Sequence, residues 1–352
     1  MISFHTFTHQ ENVLVKLHFG EHTGMGEAAP FEWVTGDSQQ DVLDQLTQLN
    51  EIPLDPRDTE IPEFHRFLDD YAVSATTRAA LDFAYHDLIG KIRGVPVWKL
   101  YASRQHRASE SFTLSIKAPN AMGEETRSVC EKYPELEVLK IKLKGDEADI
   151  ERAERIRAAL PRPMRFMIDA NQGFENPEEA VRILRKIQGI LGDVILVEEP
   201  LPKGDLDGLK QVKDQIEGTM IFADESVVNL EDAMKIIKKQ AADGINIKLQ
   251  KAGGIWPGRR IVEAAESAGL KVMTGCMLEG PLAITAGVHF TASTPNVIVT
   301  DLSADLLTTP HTRSAATLEN GQRIPPPHPG LGVEYDKARI KELTKSGELV
   351  IE

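Results

Sequence analysis

The chain has 352 residues, with 40 Lys plus Arg against 54 Asp plus Glu, a formal net charge of −14, and 41% hydrophobic residues. That length accommodates a full barrel and a smaller domain, and the apolar content supports a large core rather than a disordered chain. The acidic balance, with no basic stretch to offset it, argues against nucleic acid as a partner. Cys130 and Cys276, the only cysteines, give no disulfide framework. No apolar run reaches membrane length and the start lacks a signal-peptide pattern, so the expectation is a soluble cytoplasmic protein with no membrane partner.

Residues 1–105 read as an α+β capping domain. Asn12 to Phe19 alternates like a half-buried strand, Gly20 to Gly24 supplies a turn, and Gly24 to Ala29 reads as the return strand. Ala29 to Gly36 is the loop expected to close on a site, with Phe31 and Trp33 as an apolar wall or as packing, and Glu32 as a reader of cations or a solvated charge. Ser74 to Ile92 reads as a helix with a wide apolar surface, capped by Ser74 or Thr76 and ended by Gly94-Val95-Pro96.

Residues 106–308 follow a different rhythm. Short β-rich runs end at Lys142, Asp169, Glu198, Asp224 and Lys248, spaced by 24 to 29 residues. A strand, a helix and two turns take about that many residues, so the period predicts repeated βα units. Phe112 to Ile116 precedes the five, and Lys271 to Met277 and Val297 to Asp301 bring the count to eight. Asp149 to Leu160, Pro177 to Gln188 and Leu230 to Gln240 read as intervening amphipathic helices. The expected fold class is α/β, a (β/α)8-type barrel with the N-terminal α+β domain as its cap. An open doubly wound sheet is the alternative, without a Gly-rich phosphate turn to support it. In residues 309–352, Asn320-Gly321 signals a tight turn and Pro325-Pro326-Pro327 an extended path. This segment is expected to return over the capping domain and complete it.

Barrel active sites form at the C-terminal ends of strands, so the five charged residues share one mouth. A single acidic residue at a strand end ordinarily caps the next helix. Three in register between two lysines point instead to a metal centre. Oxygen-only ligands Asp169, Glu198 and Asp224 suit a hard cation such as Mg2+, one per site, and the lack of His or Cys there argues against Zn2+. Lys142 and Lys248 fall on the second and sixth strands, which oppose each other. Two amines on opposite sides of one substrate can remove and return a proton on either face, the layout of a racemase or epimerase. A lysine base needs a lowered pKa, and a dication together with Lys140, two residues away on the same strand face, pushes in that direction. The alternative for Lys140 and Lys142 is pairing with carboxylates inside the barrel.

Lys140-Ile141-Lys142, Asp169-Ala170-Asn171-Gln172-Gly173, Val197-Glu198-Glu199-Pro200, Ala223-Asp224-Glu225-Ser226 and Asn246-Ile247-Lys248 with Ala252-Gly253-Gly254 resemble the enolase superfamily, in its muconate-lactonising subgroup. Gly275 to Glu279 and Asp301-Leu302 are most similar to the dipeptide epimerases, relatives of L-Ala-D/L-Glu epimerase. The resemblance implies a Mg2+-dependent isomerase that moves the α-proton of a dipeptide's C-terminal residue through an enediolate. Lys142 and Lys248 would be the acid/base pair, Asp169, Glu198 and Asp224 the metal ligands, and Asn171 and Glu225 their supports. Lys251, three residues past Lys248, ranks below it as an acid/base group. Thr113, Lys140, Met277, Leu278, Asp301 and Ser303 are the expected substrate-binding residues, with Asp301 anchoring the amino end. Such epimerases carry Asp-x-Asp at the eighth strand. Ser303 stands at the second of these positions, and Asp305 is the nearest substitute. An N-acylamino acid racemase and an o-succinylbenzoate synthase are the alternatives. Met1 to Thr8 resembles the tail of a loop that covers the site in relatives. The partner is a small molecule, with a homo-oligomer left open.

Overall fold

The computed structural model describes residues 10–49, 52–307, 312–336, 338 and 341. The expectation for Met1 to Thr8 lies outside the described residues. Strand β1 (Val13–Phe19) turns at Gly20, whose φ is 56°, into antiparallel β2 (His22–Ala28). The return strand starts two residues earlier than Gly24, because Gly20 alone supplies the left-handed turn. A Cβ on Gly24 would lie 2.0 Å from the Ala84 carbonyl oxygen, and one on Gly26 1.8 Å from that of Ala80. The hairpin therefore rests directly on the backbone of the helix Ala75–Ile92, where only glycine fits. That helix is buried over most of its length, its wide apolar surface together with Thr76, Thr77, Asp82, His86 and Asp87. Ser74 is its cap, accepting from the Thr77 N–H at 3.3 Å.

Eight parallel strands follow: β3 (Ser109–Leu114), β4 (Val138–Lys142), β5 (Arg165–Asp169), β6 (Val194–Glu198), β7 (Met220–Ala223), β8 (Gly244–Lys248), β9 (Lys271–Gly275) and β10 (Val297–Asp301). Each pairs with the next, and β10 pairs with β3, so the sheet closes as the expected barrel. β3 starts at Ser109 rather than Phe112 because closure recruits Ser109 and Glu110 against Val299 and Thr300. β7 stops at Ala223, one residue short of Asp224, and β9 at Gly275 rather than Met277. Val138, Met167, Leu196, Phe222, Met273 and Val299 form one buried cluster. Each stands two residues before a mouth position, so side-chain alternation lays an apolar floor beneath the charged layer. Among the described residues no helix is long and apolar enough to cross a membrane.

The C-terminal segment contributes β11 (Thr312–Ser314), β12 (Thr317–Glu319), β13 (Gln322–Ile324) and β14 (Glu334–Tyr335). β12 and β13 form a hairpin about Asn320 and Gly321, with φ of 50° and 70°. The hairpin first joins the barrel, antiparallel to β3. The chain then reaches the capping lobe, where the Val97 N–H donates to the Gly330 carbonyl at 2.9 Å and the Leu331 N–H to Asp87 at 2.7 Å.

Buried polar groups fasten cap to barrel. Asp82 on the central helix accepts the Ile255 N–H at 2.6 Å and the Trp256 N–H at 3.3 Å, at the start of the barrel helix Ile255–Ser267. Glu27 at the end of β2 accepts the Gly280 and Ala283 N–H groups at 2.9 and 3.1 Å, at the start of the helix Pro281–Ala292. Each carboxylate meets the positive end of a helix dipole and satisfies donors the helix leaves unpaired. His289 bridges further: Nδ1 accepts from the Trp98 N–H at 3.2 Å and Nε2 donates to the Leu331 carbonyl at 3.1 Å. That arrangement requires the neutral ring, and burial lowers the His289 pKa from 6.5 to about 4. As pH falls from 6.5 towards 4, the unfolded chain takes up a proton that the folded one refuses, so stability decreases across that window. We expect His289→Gln to remove a pH-dependent contribution of about 3 kcal/mol. Urea unfolding of both proteins at pH 7 and pH 4.5 checks this: the variant should show the shallower loss, and parallel losses would refute it.

Candidate active site

β4, β5, β6 and β8 deliver Lys142, Asp169, Glu198 and Lys248 as their last residues, and Asp224 follows β7 directly. Lys142 and Lys248 stand four strands apart in a ring of eight, so they oppose each other across the mouth. Asp169, Glu198 and Asp224 are buried. Lys142 Nζ donates to Asp169 Oδ2 at 2.9 Å and to Asn171 Oδ1 at 3.0 Å. Lys248 Nζ donates to Asp224 Oδ2 at 2.7 Å. Lys140, fully buried, sits at the centre, 3.2 Å from Asp169 Oδ2, 3.0 Å from Glu198 Oε1 and 2.8 Å from Asp301 Oδ2. Both readings of Lys140 thus meet in one place: it pairs with carboxylates and lies in the mouth.

Glu198 Oε2 accepts from Lys140 Nζ at 3.1 Å and from Asn246 Nδ2 at 2.8 Å. Its Oε1 is near the same ammonium but misaligned, and has no hydrogen-bond partner among the described residues. Burial pushes the Glu198 carboxyl up to about 7, opposed by Lys140 and reinforced by Asp169 and Asp224. Burial acts on Asp169 in the same sense, but Lys140 and Lys142 outweigh it and hold that carboxyl below the usual range. Glu225 is pushed up to about 8 by burial and by Asp224, and accepts from Asn171 Nδ2 at 3.4 Å.

Burial disfavours the Lys248 charge and Lys140 adds to that, yet Asp224, Glu225 and Asp169 together outweigh them and raise it above the usual lysine value. Lys140 is raised too, burial losing to Asp169, Asp301 and Glu198.

Among the described residues no three His, Cys, Asp or Glu side chains stand closed as a metal-binding group, since ammonium groups hold the carboxylate oxygens. The donor chemistry nevertheless fits a hard dication: three carboxylates from neighbouring strand ends, all oxygen, one with an orphaned buried atom.

The outer residues divide. Thr113 Oγ1 donates to Asp301 Oδ1 at 2.9 Å, so both Asp301 oxygens are engaged, by Thr113 and Lys140. Ser303 is buried two residues on. Asp305 accepts from Arg323 Nη2 of the C-terminal hairpin at 2.5 Å. Met277 and Leu278 are half-buried in the loop after β9, where the Met277 N–H donates to Glu279 Oε1 at 3.0 Å. Phe31 is buried and Glu32 exposed. The Trp33 side chain lies outside the described residues. The short helix Glu32–Thr35 packs against another, Leu249–Ala252, at the barrel mouth.

Sequence reasoning gave no role to Asn246 or Glu199. Asn246 stands to Lys248 as Lys140 stands to Lys142, two residues earlier on one strand face, and that parity was the available signal. Lys251, ranked low as an acid/base group, donates from Nζ to Asp224 Oδ1 at 2.5 Å.

Comparisons with known proteins agree with this geometry. A model described as Mandelate racemase / muconate lactonizing enzyme, N-terminal domain, matches residues 1–101, and one described as Enolase C-terminal domain-like matches residues 121–339. The L-Ala-D/L-Glu epimerase of Clostridium acetobutylicum is 34% identical, the match covering 89% of this chain and 87% of that one. The N-succinyl-L-Arg/Lys racemase of Bacillus cereus is 28% identical over 99% of this chain and 95% of its own. The crystal structure of a dipeptide epimerase from Enterococcus faecalis, complexed with Mg and the dipeptide L-Leu-L-Tyr, superposes with a TM-score of 0.87 at 32% identity, covering 95% of this chain and 94% of that one. With both lobes matched and a barrel mouth of this composition, the chain belongs to the mandelate racemase / muconate lactonizing enzyme family of the enolase superfamily.

Proposed function

We propose that the protein is a Mg2+-dependent dipeptide epimerase that inverts the α-carbon of the substrate's C-terminal residue. The observation that carries this is the pair of opposed lysines, each bonded to its own aspartate across one mouth. Relatives named epimerases and racemases support it, as does a neighbour whose crystals hold Mg and a dipeptide. Asp169, Glu198 and Asp224 would hold the ion, which supplies positive charge at the substrate carboxylate as the α-proton leaves. One lysine, neutral, takes that proton from its face. The other, charged, returns one to the opposite face, so no proton is gained or lost overall. Asn171 orients Lys142 and touches Glu225. Thr113, Lys140 and Asp301 form one hydrogen-bonded set on the substrate side, with Met277, Leu278 and Ser303 at its margin. The working parts are a capping domain at 1–105, the barrel at 106–308 and the returning segment at 309–352. Free Cys130 and Cys276 fit a reducing cytoplasm.

One observation favours a second reading, an N-acylamino acid racemase. Asp301 has both oxygens committed, and Ser303 offers no charge, so a substrate ammonium finds a weak anchor, whereas an acylated amine, being uncharged, needs none.

Lys142→Ala and Lys248→Ala should each lower epimerisation by about a thousandfold or more, as loss of a proton-transfer group does. One of them should retain hydrogen exchange on a single enantiomer. Proton NMR in D2O with Mg2+ reads both effects, and near-native epimerisation by both variants would refute the two-base assignment. Asp301→Asn should weaken turnover of free dipeptides more than that of N-succinyl amino acids. Mass-spectrometric deuterium uptake from the two pools measures the ratio, and equal losses would remove Asp301 as the ammonium anchor.

A further inference from the structure

Two of the three mouth carboxylates are fixed by the sheet itself. Asp169 and Glu198 are register partners, and Asp169 is also paired with Lys142. Asp224 is not on a rung, because β7 ends at Ala223 and its last pairings are Glu198 with Phe222 and Ala223 with Ile245. Its backbone is held by charged side chains instead. The Asp224 N–H donates to Glu199 Oε2 at 2.7 Å. Its carbonyl oxygen accepts from Lys251 Nζ at 2.6 Å, and its Oδ1 from the same ammonium at 2.5 Å. That leaves Oδ2 turned to Lys248.

Glu199 commits its whole carboxylate to this exit. Oε2 also accepts the Ser226 N–H at 3.2 Å, and Oε1 accepts the Ser226 hydroxyl at 2.5 Å. The side chain is buried, and the backbone is left-handed at φ 33°. A non-glycine residue in that region carries a conformational cost that surrounding contacts must offset. The Glu199 N–H reaches the Phe222 carbonyl at 3.0 Å, and its carbonyl accepts the Gln172 N–H at 2.8 Å. The turn after Glu198 thus aims the next residue's carboxylate sideways, onto the end of the neighbouring strand.

We infer that Glu199, with Lys251 as the opposing half of a clamp, is a positioning residue that replaces the missing sheet rung and fixes the direction of Asp224 for metal binding. Neither side chain is a metal donor in this assignment. The inference rests on the reading of Asp224 as a ligand. Holding a ligand's orientation in advance governs affinity, and loss of such outer contacts typically weakens metal binding by about 10–100-fold.

Electron paramagnetic resonance of free Mn2+, titrated with protein in the absence of substrate, measures the site without any assumption about the reaction. Glu199→Ala should weaken Mn2+ binding by about 10–100-fold, with Glu199→Gln, which keeps one acceptor for the Asp224 N–H, recovering part of it. Lys251→Met should weaken binding in the same range from the other side of the clamp, with Lys251→Arg recovering part. Thermal midpoints of the metal-free variants separate this from general loosening. Mn2+ affinity within twofold of wild type in both Glu199→Ala and Lys251→Met, whatever their midpoints, overturns the clamp and leaves the metal site standing. A wild type that binds no Mn2+ overturns the metal site and the clamp together.

Discussion

Three carboxylates brought to neighbouring strand ends repel one another, and burial removes the water that would screen them. The barrel mouth is tenable because ammonium groups are interleaved with the acids at hydrogen-bond distance. Lys140 alone lies near Asp169, Glu198 and Asp301. Removing one partner from such a buried set costs about 3–5 kcal/mol, because the remaining charge is left uncompensated. The geometry of the fold makes the interleaving possible. Alternation along β4 turns Lys140 and Lys142 to the same side, and barrel closure brings β10, with Asp301, within reach of β4. The apolar layer beneath keeps the network dry from below.

The cap completes the enclosure by a related device. Asp82 and Glu27 spend their charge on the first turns of two barrel helices. Both helices follow strands that end at the mouth, so the attachment points lie close to the chemistry. Gln250 adds a neutral link, donating to the Glu27 carbonyl at 2.9 Å and accepting the Ala29 N–H at 3.2 Å. The root of the loop Ala29–Gly36 is thereby tied to the short helix that follows Lys248. Exposed Glu32 lies beyond that tie, towards the loop's outer end.

Much of the barrel was legible because six of the eight strands announce themselves twice, by a β-rich run and by a charged residue at the end or just past it. The period survives even where boundaries slip, as at β3, whose start is set by closure against β10 rather than by its own residues. The contacts that were not legible join residues far apart in the chain. Asp82 and Ile255 are separated by 173 positions, and Glu27 and Gly280 by 253. No local pattern marks an acid in a cap helix as the terminus of a distant helix. Glu199 was hidden differently, beside a residue with a more obvious role, and its left-handed backbone has no compositional signature.

Read along the strands, the mouth is a palindrome: Lys142, Asp169, Glu198, Asp224, Lys248. Glu198 lies on its axis, and the two lysine–aspartate contacts, 2.9 and 2.7 Å, match across it. The supports differ, Asn171 and Lys140 on one arm and Lys251 and Asn246 on the other. On the proposed reaction, substrate and product are near mirror images at the reacting carbon. A cavity with approximate mirror symmetry meets both with nearly the same field, so neither configuration is trapped as the tighter-bound partner. The handedness of the site then resides in its periphery, where the unreacting end of the substrate is read.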